Sequence, residues 1–151
     1  AGAYTLGAGF DATDLPSLMV NAFFDRLGIA DNTPFWLIYI LLTGVMTFSA
    51  LLFQSKTMRT MIFIPIAIGV AGRFGFETLS LALPTAFMIE HVYVLPFNSK
   101  PAALLYETDM YSYGNAFRFG FTMMIISWVM IIIAGHTWFR FLGITPNGVF
   151  Y

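Results

Sequence analysis

Hydrophobic positions fall in long runs separated by short polar punctuation. The cleanest run, PFWLIYILLTGVMTFSALLF, extends from Pro34 to Phe53 without a charged residue. About 20 apolar residues cross the ~30 Å hydrocarbon core of a bilayer, so this run predicts a first transmembrane helix over 34–53. Asp31-Asn32-Thr33-Pro34 opens it, with Thr33 suited to the N-cap and Pro34 to the first helical position. A polar connection, 54–60, holds Lys56 and Arg59. The next run, IFIPIAIGVAGRFGFETLSLAL from Ile62 to Leu83, predicts a second span over 61–83, stopped or bent by Pro84. The third span is expected over 116–140, where FTMMIISWVMIIIAG is uninterrupted. Between them, TAFMIEHVYVLP (85–96) is too short to cross and is broken by Glu90-His91, so it reads as an interfacial segment.

The remaining segments are not spans. Residues 1–12 are small and glycine-rich and predict an arm; they lack the basic-then-apolar pattern of a signal peptide. Over 14–28, Asp14 can cap a helix with Pro16 in its first turn. Leu15, Leu18, Met19, Ala22 and Arg26 keep helical spacing, with Ser17, Asn21 and Asp25 on the other side. This predicts an amphipathic helix at the membrane interface or against a partner. The tail, 141–151, is turn-rich. The fold class is therefore all-α, a single integral membrane domain of three transmembrane helices, an N-terminal amphipathic helix and a short interfacial segment.

Composition sharpens this picture. Apolar residues make up 58% of the chain and charged residues 10%, against about a quarter charged in a soluble domain. A net charge of −1 offers no attraction to nucleic acid. The absence of cysteine excludes disulfides, thiolate metal sites and thiol catalysis. The 17 Phe and 9 Met serve lipid-facing surface and helix contacts, and could also pack on a large ring system. Lys56, Arg59 and Arg140 on one side outweigh Arg26, Lys100 and Arg118 in their freedom from neighbouring acids. The positive-inside rule then puts the N-terminus outside and the C-terminus inside.

Candidate chemistry rests on few residues. Arg73 and Glu77 lie inside the second apolar run, and Arg118 opens the third. Each charge at bilayer depth costs roughly 2.5–3.5 kcal/mol, so these side chains must face protein, a cofactor or water. A buried cluster of Arg73, Glu77 and Arg118 is expected. Gly69–Phe76 matches Gly114–Phe121 at six of eight positions, a short echo that coincidence in a Phe- and Gly-rich chain explains. His91 and His136, the chain's two histidines, are the candidate cofactor ligands, and three spans put them at opposite faces. Imidazole ligates haem iron and chlorophyll magnesium, so haem, chlorophyll and quinone are the cofactors considered. No nucleophile–base pair, phosphate loop or carboxylate pair is present in the sequence, and the chain reads as non-catalytic on its own.

In general appearance the chain resembles three-span anchors of respiratory dehydrogenases and small subunits of photosynthetic or respiratory assemblies. That resemblance implies an accessory or anchor subunit of an energy-transducing membrane complex, with lipids and other membrane subunits as partners. The alternatives are a homo-oligomeric channel or carrier with Arg73 and Glu77 facing the path, and a membrane enzyme subunit.

Overall fold

A computed structural model describes residues 33–53, 55–91 and 112–146, with isolated positions at 18, 22, 94, 104 and 107. The expected arm and nearly all of the expected amphipathic helix lie outside the described residues, as do most of 92–111. The described residues form helices and no strand. We number them α1 (Phe35–Phe48), α2 (Lys56–Phe74), α3 (Thr78–Phe87) and α4 (Tyr113–Ala134).

Pro34 is the N-cap of α1, with extended ψ, and its carbonyl accepts from the Leu37 and Ile38 amides at 3.1 and 3.4 Å. The helix tightens into a 3-10 turn over Ser49–Leu51. Its two threonine hydroxyls donate within the helix, Thr43 Oγ1 to the Tyr39 carbonyl and Thr47 Oγ1 to the Thr43 carbonyl, both at 2.7 Å. Ser55 caps α2, accepting from the Met58 amide at 3.2 Å. The second run therefore turns helical at Lys56, within what the sequence suggested was a connection.

The expected continuous span over 61–83 is not one helix. It breaks at Gly75, whose φ of +70° is left-handed, and the Phe76 amide closes the end on the Ala71 carbonyl at 2.8 Å. This is a Schellman-type stop, which glycine adopts without a Cβ penalty. Glu77 is the N-cap residue of α3, which runs back along α2 and carries residues 85–90 into its own end as a 3-10 turn over Met88–Glu90. The separate interfacial segment expected at 85–96 is thus, in its described part, the end of this returning helix.

Contacts at the two ends fix the directions. Phe76 meets Phe35 edge-on at 5.1 Å, and Trp36 stacks on His136 at 3.5 Å. At the other end of α1, Phe48 lies 6.2 Å from Phe121 and 5.7 Å from Trp128. Arg59 near the start of α2 reaches Met88 and Ile89 at the end of α3. The four helices alternate in direction, so Thr33 and Pro146 sit at one end of the bundle. Three crossings would put the chain's ends on opposite sides, whereas the described positions Thr33 and Pro146 lie at one end of this bundle.

Small residues permit the close helix approaches. Ala67, Val70 and Ala71 of α2 are buried with Leu81 of α3. On α4, a Cβ at Gly135 would come within 2.7 Å of the Tyr39 hydroxyl, which donates to the Ile131 carbonyl at 2.8 Å. At Gly135–Phe139 the helix widens into a π turn. The outer face of α4 exposes Phe119, Met123, Ile126, Met130 and Ile133 at four- and three-residue spacing. A stripe of this kind belongs against lipid or further helices.

Candidate functional site

Three chain ends converge where α1 finishes, α2 begins and α3 finishes. Their centre is Arg59, whose side chain is fully buried at 0% exposure. The register of α2 puts it on the same inward face as Ala67 and Val70. A guanidinium has five N–H donors in a rigid fork, and every one is used here. Nε donates to Ser49 Oγ at 3.0 Å. Nη1 donates to the carbonyls of Ile89 at 2.9 Å and His91 at 3.5 Å. Nη2 donates to the carbonyls of Met46 at 2.6 Å and Met88 at 3.2 Å. Between described residues no carboxylate lies within ion-pair distance of it. Instead the charge faces carbonyls left over at the C-terminal ends of α1 and α3, where the helix dipole carries roughly half a negative charge.

Above Arg59, Lys56 and Glu90 form an ion pair that ties the start of α2 to the end of α3. Their side chains are 44% and 73% exposed, so solvent screens the pair and its contribution to stability is at most about 1 kcal/mol. Lys56 also sits on the first turn of α2, beside amide groups that no earlier turn can satisfy. His91 is buried at 7% exposure, and its Nδ1 lies 3.1 Å from the Met88 carbonyl. A carbonyl only accepts, so that nitrogen carries the proton. Burial holds the imidazole below its ordinary range. The Met88 carbonyl opposes that shift, nearby Arg59 adds to it, and Glu90 again opposes it. This end combines an exposed ion pair, a buried cation, a helix N-terminus and two helix C-termini, and among the described residues it contains no set for covalent chemistry.

The opposite end holds a crevice of about 330 Å³ lined by Phe35, Phe76, Glu77, Ser80 and Thr145 among others. Ser80 Oγ donates to the Glu77 carbonyl at 2.6 Å, and Thr145 Oγ1 donates to the Gly135 carbonyl at 2.7 Å.

The residues singled out from sequence are divided between the two ends. Arg73 and Glu77 flank the Gly75 break; Arg73 is half-buried with its guanidinium 5.8 Å from the centre of the Phe74 ring, and Glu77 is exposed. Arg118 is exposed near the start of α4, where neighbouring Phe117 and Phe121 pack against the far end of α1. The structure therefore does not gather Arg73, Glu77 and Arg118 into one cluster, because the chain reverses at Gly75 and leaves Glu77 at the other end from Arg118. His91 joins the Arg59 end and His136 stacks on Trp36 at the other, so the two rings cannot share one ligated group.

Sequence reading passed over Lys56, Arg59 and Glu90 as members of a site. The available signal was Ser55, an N-cap residue that starts the helix at Lys56 and puts Arg59 on its inward face.

The transmembrane region of sodium:sulfate symporters, as a family profile, matches residues 1–145. The chain belongs to the sodium:sulfate symporter family. It is accordingly an integral membrane protein. Two curated relatives from Caenorhabditis elegans are similar to this symporter-family chain. Sodium-dependent high-affinity dicarboxylate transporter 2 is 33% identical over 100 residues, covering 64% of this chain and 18% of the relative. Sodium-dependent high-affinity dicarboxylate transporter 3 is 28% identical over 109 residues, covering 72% and 18%. The match thus spans less than a fifth of either relative's length.

These findings overturn the expected accessory or anchor subunit of an energy-transducing complex, and the electron-transport role attached to it. The carrier alternative fits the symporter family better. The error has a physical source: lipid selects the same apolar lengths and aromatic content in an anchor as in a carrier, so composition does not separate them.

Proposed function

We propose that the chain forms part of a sodium-coupled carrier of small dianions, of the dicarboxylate or sulfate class. The observation that carries this reading is the family match over residues 1–145, supported by two relatives named as sodium-dependent dicarboxylate transporters. The Lys56–Glu90 end is where such an anion meets this chain: Lys56 offers a point charge beside the N-terminus of α2, and a substrate carboxylate replaces Glu90 as its partner. Lipid and further membrane helices cover the apolar stripe of α4, and nucleic acid has no role. The positive-inside rule, applied to Lys56 and Arg59, supports a cytoplasmic position for this end.

Uptake of radiolabelled succinate into vesicles holding the protein tests the proposal. Uptake should require an inward sodium gradient and be inhibited by excess unlabelled dicarboxylate. Lys56→Gln should raise KM by about tenfold with a smaller effect on Vmax, the change expected when one charge-assisted contact is lost. Uptake indifferent to sodium, or none from well-expressed protein, would overturn the reading.

A further inference from the structure

We infer that Arg59 is a positioning residue for transport. It joins the end of α1, the start of α2 and the end of α3 into one body that moves as a unit through the carrier cycle. The inference rests on the carrier reading above, but its geometry stands apart from it.

The five acceptors of Arg59 come from two helices. Met46 O and Ser49 Oγ belong to the end of α1; Met88 O, Ile89 O and His91 O belong to the end of α3. A single carboxylate could have satisfied much of this charge and would have travelled with it. Backbone carbonyls from two elements do so only while both elements are in place. Separating α1 from α3 at this end would strand a buried guanidinium with unpaired donors, an expensive state away from water. Opening at another seam, such as that between α1 and α4, breaks none of these five bonds. Ser49 strengthens the arrangement, since its hydroxyl accepts from Arg59 and donates to the Met46 carbonyl at 2.6 Å. Phe53 just after α1 and Phe63 on α2 lie on the same joined body, so their separation should stay constant while the carrier changes state.

The cysteine-free chain makes this measurable. Phe53→Cys with Phe63→Cys, whose rings lie 6.5 Å apart between the end of α1 and α2, leaves Lys56 in place and, in the full chain in membrane vesicles, should cross-link at one rate whether or not sodium and succinate are present. Adding Arg59→Lys keeps the charge but replaces a five-donor fork with three mobile donors. Cross-linking should then slow by about tenfold, the scale of one lost charge-assisted bond. Arg59→Lys alone, with Phe53 and Phe63 intact, should lower Vmax for uptake by about tenfold and leave KM within about twofold. Melting in detergent alone would not produce that split in protein that has reached the membrane. If Arg59→Lys does not accumulate, Ser49→Ala removes one acceptor and carries the same readouts, with an expected slowing of about threefold. A cross-linking rate that changes with ligand in the Arg59 background would overturn the inference. So would a rate and Vmax unaltered by the substitutions. Absence of sodium-dependent uptake in the unaltered protein would sink the carrier reading only, because cross-linking without ligand still reports whether Arg59 holds the end of α1 to α2.

Discussion

At the scale of single residues, the most consequential side chain is also the most completely enclosed. Arg59 has no exposed surface, and among the described residues its cost of leaving water is offset by five hydrogen-bond acceptors rather than by a carboxylate at ion-pair distance. His91 belongs to the same shell, just beyond the end of α3, and its burial favours the neutral ring. The sign of its pH effect follows. A histidine whose folded pKa lies below its unfolded value, about 6.5, contributes its full share of stability above that value. The share is lost as pH falls through the folded pKa, because the unfolded state binds the proton first. Purified protein should therefore melt at a lower temperature at pH 5 than at pH 7.5, and His91→Gln should shrink that difference. An unchanged pH dependence in His91→Gln would assign the effect to other groups. Ser55 marked the start of the helix that turns Arg59 inward, but not the groups that meet it. The five groups that accept from it lie 10 to 32 residues away, beyond the reach of any periodicity.

At the scale of elements, one glycine decides the architecture. The octets Gly69–Phe76 and Gly114–Phe121 share six residues, yet the first ends a helix and the second runs through α4. In the first, Gly75 turns left-handed and Phe76 folds onto Phe35 and Phe74. In the second, Gly120 is buried within the helix, and Phe121 stacks on Phe117. The same local letters serve both because glycine allows either backbone, and the packing partner chooses. Gly75→Ala puts a Cβ on a left-handed residue and should destabilise the protein by about 1–2 kcal/mol. Gly75→Asn should cost less, since asparagine tolerates that conformation. Gly114→Ala is the contrast: a Cβ there meets nothing within 4 Å, and helix propensity predicts a gain of up to about 0.5–1 kcal/mol. Thermal unfolding in detergent ranks the three, and equal midpoints for Gly75→Ala and Gly114→Ala would remove the argument for a strained turn.

At the scale of the molecule, alternating helices set the topology. α2, at 19 residues, is about 28 Å long and matches the hydrocarbon thickness, and α3 returns along it. In the cysteine-free background, Thr33→Cys and Pro146→Cys should label from one face of sealed vesicles with an impermeant reagent, and Lys56→Cys from the other. Labelling of positions 33 and 146 from opposite faces would mean that one of the four helices does not return. The exposed stripe on α4 has its place at this scale too. The chain matches 18% of the length of each relative, and Phe119, Met123, Ile126, Met130 and Ile133 form a surface suited to lipid or to further helices.

What the amino-acid order determined by itself was the solvent and the class of structure. Apolar runs near 20 residues and a low share of charge point to helices in lipid, since both properties are local and can be counted. The start of the first helix was legible to within one residue, since Pro34, expected at the first helical position after Thr33, is itself the N-cap; the start at Ser55 was overlooked, because it stood in a stretch read as loop. Only the tertiary structure decided which charges meet. A reversal at Gly75 carries Glu77 away from Arg118 and brings Glu90 to Lys56. It also sets the carbonyls of Met88, Ile89 and His91 around Arg59. The physical reason is that a charge in an apolar molecule is stabilised by groups distant in sequence, and one left-handed residue determines which of those groups arrive.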